Sequence, residues 1–178
     1  TVTSSTAAAI SSALTTSNVT IEVKGDLTVA AGAAITAAPT GAATTLTSTG
    51  LGAITFNSTL DGAQTLAINT SGITTFSGAV GNTAALTSLT TNTGGSVAIN
   101  GGLIKTTGAQ TYNKPVNLGA TTLLQGVNLA LMSSIDGAQA LTLNDSGTTI
   151  LGGIIGGSTP LISLTTDSPT TAAGETHL

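Results

Sequence analysis

Side chains able to do acid–base, nucleophilic or metal chemistry are few in this chain. Its 178 residues include one histidine, His177, one tyrosine, Tyr112, seven carboxylates and three lysines, with no cysteine. A nucleophile–base arrangement would have to be assembled around His177, and zinc would need several nitrogen or sulfur ligands. We therefore predict no catalytic, cofactor-binding or metal-binding residues, and no enzymatic activity.

The carboxylates are scattered along the sequence. They are Glu22, Asp26, Asp61, Asp136, Asp145, Asp167 and Glu175. Glycoside hydrolysis needs two carboxylates across one scissile bond, and calcium needs several oxygens together. Asp61 and Asp136 each precede a glycine, where an aspartate accepts a hydrogen bond within its own turn. This pattern favours a structural role over hydrolysis or calcium binding.

The low charge argues against several classes of partner. Charged residues make up 6% of the chain, the net charge is −4, and the cations are Lys24, Lys105 and Lys114. Nucleic acids and anionic membrane surfaces are bound through many lysines and arginines. The sequence also lacks a run of roughly 18 apolar residues. We predict no nucleic-acid partner and no membrane-spanning segment.

Composition and alternation predict an all-β fold. The chain has 38 threonines and 23 glycines, and 40% of its residues are hydrophobic although only 2% are aromatic. Apolar and polar residues alternate at Val19, Ile21 and Val23, which is the period of a half-buried strand. The predicted strands are 18–23, 27–29, 44–49, 53–57, 64–69, 73–76, 86–91, 96–100, 103–106, 112–113, 116–118, 122–124, 140–144, 148–151 and 161–165.

An internal repeat indicates how the strands are organised. Residues 61–93 align without a gap to residues 136–168, at an offset of 75 residues, with 16 of 33 positions identical. Such a repeat is typical of solenoids. It divides into about four coils of roughly 19 residues, which predicts a parallel β-helix with Val, Ile and Leu inside and Thr outside.

The domain boundaries follow from this pattern. We expect a lead-in or cap at 1–16, the solenoid at 17–168 and an irregular tail at 169–178. The alternative fold is an antiparallel β-sandwich, because Asp-Gly and Ser-Gly pairs also suit hairpins. Tandem near-identical segments and a core poor in aromatics favour the solenoid.

Several phrases carry a family resemblance. They are SNVTIEVKGDLTVAAGAAIT at 17–36, GAITFNSTLDGAQTLAINTSGITTFSGAVG at 52–81, LTSLTTNTGGSVAING at 86–101 and TTGAQTYNKPVNLGA at 106–120. In combination the chain resembles the shaft of filamentous-haemagglutinin-like exoproteins and related large bacterial repeat adhesins. The resemblance implies a right-handed parallel β-helix that is secreted and acts as a spacer in adhesion or biofilm. The family's secretion domain is absent from this sequence, so we expect a segment of a longer protein.

The expected function is therefore structural and adhesive. We predict a rigid extracellular stalk or filament element at the bacterial cell surface, with receptors or glycans on host or neighbouring cells as partners. Exposed strand edges at the ends of a solenoid also predict head-to-tail association into a fibre.

Two other functions compete with this prediction. One is a glycan- or ice-binding module, in which Tyr112 would stack on a sugar ring or Thr-x-Thr pairs such as Thr45 and Thr47 would face ice. The other, less favoured, is a polysaccharide-degrading enzyme.

Overall fold

The chain folds into short β-strands. The computed structural model describes residues 2–10, 18–31, 42–166 and 175–177, and no helix occurs in these ranges. The strands are β1 (Val2–Ser4), β2 (Ala8–Ile10), β3 (Val19–Val23), β4 (Leu27–Val29), β5 (Ala43–Ser48), β6 (Ile54–Phe56), β7 (Thr65–Thr70), β8 (Ile73–Phe76), β9 (Ser88–Thr91), β10 (Ser96–Ile99), β11 (Leu103–Lys105), β12 (Gln110–Tyr112), β13 (Val116–Leu118), β14 (Thr122–Gly126), β15 (Leu129–Leu131), β16 (Ile135–Asp136), β17 (Ala140–Asp145), β18 (Thr148–Leu151), β19 (Ser163–Thr166) and β20 (Glu175–His177).

These strands form three parallel sheets, called A, B and C below. Sheet A has nine strands in the order β1-β3-β5-β7-β9-β12-β15-β18-β20. Sheet B has seven, β2-β4-β6-β8-β10-β13-β16, and sheet C has four, β11-β14-β17-β19. From residue 42 onward the chain visits A, then the side in line with B, then the side in line with C, and returns to A one layer further along. The predicted β-solenoid is confirmed, with about seven turns.

The sandwich alternative is wrong. Every strand pairing among the described residues is parallel. The Asp-Gly pair at Asp61 and Gly62 lies at a corner of the coil, where the Gly62 N–H donates to the carbonyl of Ala84 in the next turn. The pair therefore directs the chain onward to the next sheet and does not fold it back as a hairpin.

Alternation along each strand separates the core from the surface. In β3, Val19, Ile21 and Val23 are buried, whereas Thr20 and Glu22 are exposed. Successive side chains of a strand point to opposite faces, so one face of each sheet lines the interior. Because the strands pair in parallel register, inward side chains of one turn lie on inward side chains of the next. Together they form one continuous hydrophobic core.

The two phenylalanines show this stacking directly. Phe56 in β6 and Phe76 in β8 are register partners, and both are buried. Their ring centroids are 5.1 Å apart with an interplanar angle of 11°. This offset-stacked geometry adds to the energy of burying the rings.

The turn is longer than the predicted 19 residues. Register partners are 19 residues apart at Val2 and Ile21 but 27 apart at Leu27 and Ile54, and the usual spacing is about 21 residues. In the 27-residue turn the additional residues fall between β4 and β5. β1, β2 and β20 extend the stack into the segments predicted as lead-in and tail.

The 75-residue repeat does not complete four turns. Each turn of the coil has three sides, one in line with each sheet. From β7 to β17 the chain advances by eleven sides, which are β8, the segment at Val80, and the strands β9 to β17. Eleven sides equal three and two-thirds turns. Equivalent strands therefore lie in different sheets: β7 is in sheet A and β17 in sheet C, while β8 is in sheet B and β18 in sheet A.

Candidate functional site

The residues singled out from the sequence do not converge on one site. Tyr112 is fully buried, and its hydroxyl donates to Gln110 Oε1 at 2.8 Å. Of the two roles open to Tyr112, a core residue or a platform for a sugar ring, its burial matches the core residue. His177 lies in β20 and is exposed. Within the described ranges, no group of three or more His, Asp or Glu residues is arranged to hold a metal ion.

Gln110 is the centre of a buried polar network. Its Nε2 donates to the carbonyls of Gln125 at 2.8 Å and Ile104 at 3.1 Å, and to Thr106 Oγ1 at 3.3 Å. Its Oε1 accepts the Tyr112 hydroxyl. Each polar group of this glutamine thus has a partner, as burial requires. Desolvation raises the pKa of Tyr112 well above its usual value.

Asp61 and Asp136 connect one turn to the next. Asp61 Oδ1 accepts the N–H groups of Thr83 at 2.8 Å and Ala84 at 3.1 Å. Asp136 Oδ1 accepts those of Ser158 at 2.7 Å and Thr159 at 3.0 Å. We expected each aspartate to bond within its own turn; the N–H partners of both instead lie 22 and 23 residues further along, while Asp136 also has a side-chain hydrogen bond with Ser134 of its own turn. The two N–H groups also lower the pKa of Asp136.

Asp145 accepts several hydrogen bonds at another corner of the coil. It is 2% exposed. Oδ1 accepts the N–H groups of Asn128 at 2.8 Å and Gly147 at 2.9 Å, and Oδ2 accepts the N–H of Leu129 at 3.0 Å and the Thr149 hydroxyl at 2.8 Å. Four donors compensate for the desolvation of this carboxylate. Its role is therefore structural, and no second carboxylate faces it for hydrolysis among the residues described.

The equivalent corner of the first repeat contains a lysine. Lys114 is 1% exposed, and its Nζ donates to the Thr70 carbonyl at 3.0 Å and to Thr74 Oγ1 at 3.3 Å, two turns earlier. Thr70 and Thr74 correspond to Asp145 and Thr149 at the offset of 75 residues. Burial lowers the pKa of Lys114 from 10.5 to about 8. One repeat stabilises this corner with a buried cation, the other with a buried anion.

Threonines stack in columns on the outer face of sheet A. The central outward column of sheet A holds Thr20, Thr45, Ala67, Thr90 and Thr111 in successive turns. The neighbouring column holds Glu22, Thr47 and Asn69. Of these three turns only the one with Thr45 and Thr47 presents a complete Thr-x-Thr pair. A two-column threonine rank, the pattern expected of an ice-binding face, is therefore not formed there.

The last described turn leaves interior positions uncovered. Val80, Leu86 and Leu89 of the first repeat are completely buried. Their equivalents Ile155 and Leu161 are partly exposed, and Leu164 is 37% exposed. β19 is the final strand of sheet C, and Ile155 bridges to Ile135 on one side alone among the described residues.

Two outward positions of this last turn are also more apolar than their counterparts. Ile154 is 71% exposed and Ile162 is 73% exposed, where the first repeat has Ala79 and Thr87. The second repeat thus exposes two isoleucines where the first repeat has an alanine and a threonine.

Comparisons with other proteins return no relative. No protein-family model matches the chain, and no significant match is found among curated proteins or solved structures. Within the described ranges, no helix has the length and apolar character needed to cross a bilayer.

Proposed function

We propose that this chain is a rigid structural element, a stalk or filament segment, of an adhesive protein secreted to the bacterial cell surface. The observation that carries the proposal is the uninterrupted parallel stack. Nine strands of sheet A follow one another in register, so the backbone groups of each turn bond the turns on either side. Such a stack resists bending and local opening, because each internal turn is held by a turn on both sides.

The surface supports the same role. Outward positions are mostly Thr, Ser, Asn and Ala, and only 6% of residues are charged. A neutral hydroxyl-rich wall stays hydrated without attracting charged molecules. This suits a spacer that presents a binding element at a distance. The proposed partners are receptors or glycans on host or neighbouring cells.

The test is whether the protein lies outside the cell as a rod. We expect antibodies raised against the chain to label intact cells of the source organism, with protease treatment of those cells removing the label. Electron microscopy of the purified chain should show rods about 40 Å long, since eight strand spacings of about 4.8 Å separate the nine strands of sheet A. Antigen found only after permeabilising the cells would refute the proposal.

A further inference from the structure

We infer that the corner between sheets A and B binds the same corner of a second copy of this chain, so that two solenoids pair side by side and point the same way. Parallel pairing suits stalks anchored on one surface, and in that sense it rests on the role proposed above. The contact runs along the wall of the solenoid, over the residues that lead from sheet A into sheet B.

This corner carries two outward columns of side chains. Register along sheet B places the residue before each of its first inward positions in one column, which includes Asp26, Ala53, Ile73, Ser134 and Ile154. The residue two positions earlier falls in a second column, which includes Lys24, Leu51, Ser71, Met132 and Gly152. Neighbours within a column belong to successive turns.

Large exposed apolar side chains gather in these columns. Leu51 is 76% exposed, Ile73 51% and Met132 49%, and Ile154 is exposed as well. The turns of the first three have described turns on both sides, so these side chains are exposed because they point outward from the wall. Leu51 also has a φ of 63°, where glycine is the usual residue. Clustered apolar exposure of this kind is typical of an interaction surface.

The four side chains form two equivalent diagonal pairs. Leu51 lies one turn before Ile73 and in the other column, and Met132 has the same relation to Ile154. Corresponding members of the pairs are 81 residues apart, which is four complete turns, or about 19 Å along the same corner. The 75-residue repeat places Thr148 at the equivalent of Ile73, so the recurrence of apolar pairs is independent of that repeat.

Each large side chain has small neighbours at the corner. The other positions of these turns in the two columns are Ala53, Ser71, Ser134 and Gly152. A Cβ added to Gly152 would lie 3.3 Å from the Met132 Cα, so the flank of the methionine is bare there. The surface of the corner is therefore an alternation of apolar protrusions and shallow gaps.

A two-fold axis parallel to the solenoid fits protrusions into gaps. Such an axis makes the contact self-complementary and exchanges the two columns, so each column faces the other column of the second copy. Leu51 then packs on Ala53 of the second copy, and Ile73 packs on Ser71 of the second copy. The second diagonal pair fits in the same way, four turns further along.

Charge favours this parallel arrangement. In the turn before Leu51 the two columns hold Lys24 and Asp26, and both are exposed. Asp26 Oδ1 accepts the Ala53 N–H at 2.7 Å, which holds the carboxylate at the corner. Exchange of the columns brings Lys24 of each copy opposite Asp26 of the other, forming two ion pairs that select this register. An antiparallel pair would instead move these charges to opposite ends of the contact.

Disulfide trapping between single-cysteine variants tests the arrangement, because the chain has no cysteine of its own. We expect a mixture of Ala53→Cys and Ser71→Cys, one of them tagged, to give abundant heterodimers under mild oxidation. In the parallel pair these positions face each other one turn apart. The variants retain all four large apolar side chains.

A mixture of Ala53→Cys and Ser134→Cys is the matched control. These positions are four turns apart in the parallel pair but only one turn apart in an antiparallel pair. Heterodimers from the control mixture alone would show antiparallel pairing and overturn the inference. Equal yields from the two mixtures would mean random collision and would also overturn it.

Sedimentation over a range of concentrations supplies a second readout. We expect Ile73→Lys to weaken pairing by about tenfold or more, because it places an unpaired charge in the contact. Ile162→Lys is the control, since Ile162 is equally exposed to charge substitution but precedes β19 of sheet C. Lys24→Glu should also weaken pairing, because it sets two carboxylates opposite each other.

Equal association by wild type and Ile73→Lys would refute the contact. Wild-type chains that label intact cells as rods but stay monomeric at all concentrations would overturn the pairing and leave the stalk role standing. Pairing without surface labelling would do the reverse.

Discussion

The two copies of the repeat, residues 61–93 and 136–168, share their local structure and differ in their surroundings. In both, an aspartate binds two N–H groups of the next turn, and the following glycine, Gly62 or Gly137, has a φ of 127° or 126°. Yet the first copy is covered by a further turn, whereas β19 of the second copy is the last strand of sheet C in the part of the chain that the structure describes. The local hydrogen bonds and backbone angles therefore depend on the residues of the repeat, whereas the burial of its side chains depends on the adjacent turns.

The largest expected difference concerns one leucine of the repeat. Leu89→Ala should destabilise the fold by about 2–5 kcal/mol, because Leu89 is fully buried and the change leaves a cavity. Leu164→Ala, at the equivalent position, should cost less than about 1 kcal/mol in dilute solution, where its side chain is 37% exposed. Urea unfolding of both variants measures the contrast. Equal losses would mean that the end is covered even at low concentration.

The corner at Asp145 should be the next most sensitive. Asp145→Thr gives the second copy the residue that the first copy has at position 70. The Thr70 hydroxyl accepts the N–H of Gly72, and Asp145 accepts the equivalent N–H of Gly147. The N–H groups of Asn128 and Leu129 would lose their acceptor, at a cost of about 2–4 kcal/mol. Asp145→Asn, which keeps one acceptor oxygen, should fall between. An unchanged urea midpoint for Asp145→Thr would contradict the proposed role of the carboxylate.

Lys114, which bonds Thr70 and Thr74 of the first copy, should make the free energy of unfolding depend on pH. Because burial lowers its pKa from 10.5 to about 8, the unfolded chain binds more protons than the folded one between these values. Stability should therefore rise with pH from about 8 towards 10, by up to about 3 kcal/mol, and lose this gain as pH falls. The raised pKa of Tyr112 acts oppositely above pH 10, so the window to measure is pH 7 to 9.5.

Lys114→Met should abolish that rise, since it removes the titrating group. Lys105→Met, at an outward position of β11, is the matched control and should keep the rise. Unfolding of the three proteins at several pH values provides the measurement. A rise that persists in Lys114→Met would assign the pH dependence to another group.

The smallest expected contrast lies between two glycines. Gly81→Ala and Gly156→Ala both force a left-handed backbone on alanine, at about 1–2 kcal/mol each. A Cβ on Gly81 would also collide with the Lys105 carbonyl oxygen of the next turn, whereas on Gly156 the nearest atom is Pro160 Cα at 2.9 Å. Gly81→Ala should therefore be the less stable by about 1 kcal/mol or more. Thermal unfolding of the two variants measures the difference, and the reverse order would contradict the closer contact at Gly81.

Much of the fold was predictable from the residues themselves. The strands at 27–29, 73–76, 116–118 and 148–151 match the structure residue for residue. Alternation, β-branched residues and turn residues act locally, so one sequence reveals them. β15 was missed because Leu129–Leu131 is short and lacks clear alternation with its flanks. Its register with β12 and β18 makes it a strand.

The buried polar residues were the least predictable. Glutamine and lysine side chains are mostly exposed in folded proteins, yet Gln110 and Lys114 are both in the interior. Their partners are distant in the chain: Lys114 bonds Thr70, 44 residues away, and Gln110 bonds Gln125, 15 residues away. Such hydrogen-bonded pairs come together only when the turns stack, so no local sequence pattern predicts them.

The sequence by itself determined the β class, the alternation of core and surface, and the repeat with its aspartate and glycine corners, because these depend on neighbours along the chain. The tertiary structure alone decided how many residues make a turn, and therefore on which side each copy of the repeat lies. A repeat of eleven sides shifts by one side of a three-sided coil, so identical segments meet different neighbours. Within the described ranges, Leu89 is therefore covered by β12, whereas Leu164 lies in the last strand of sheet C.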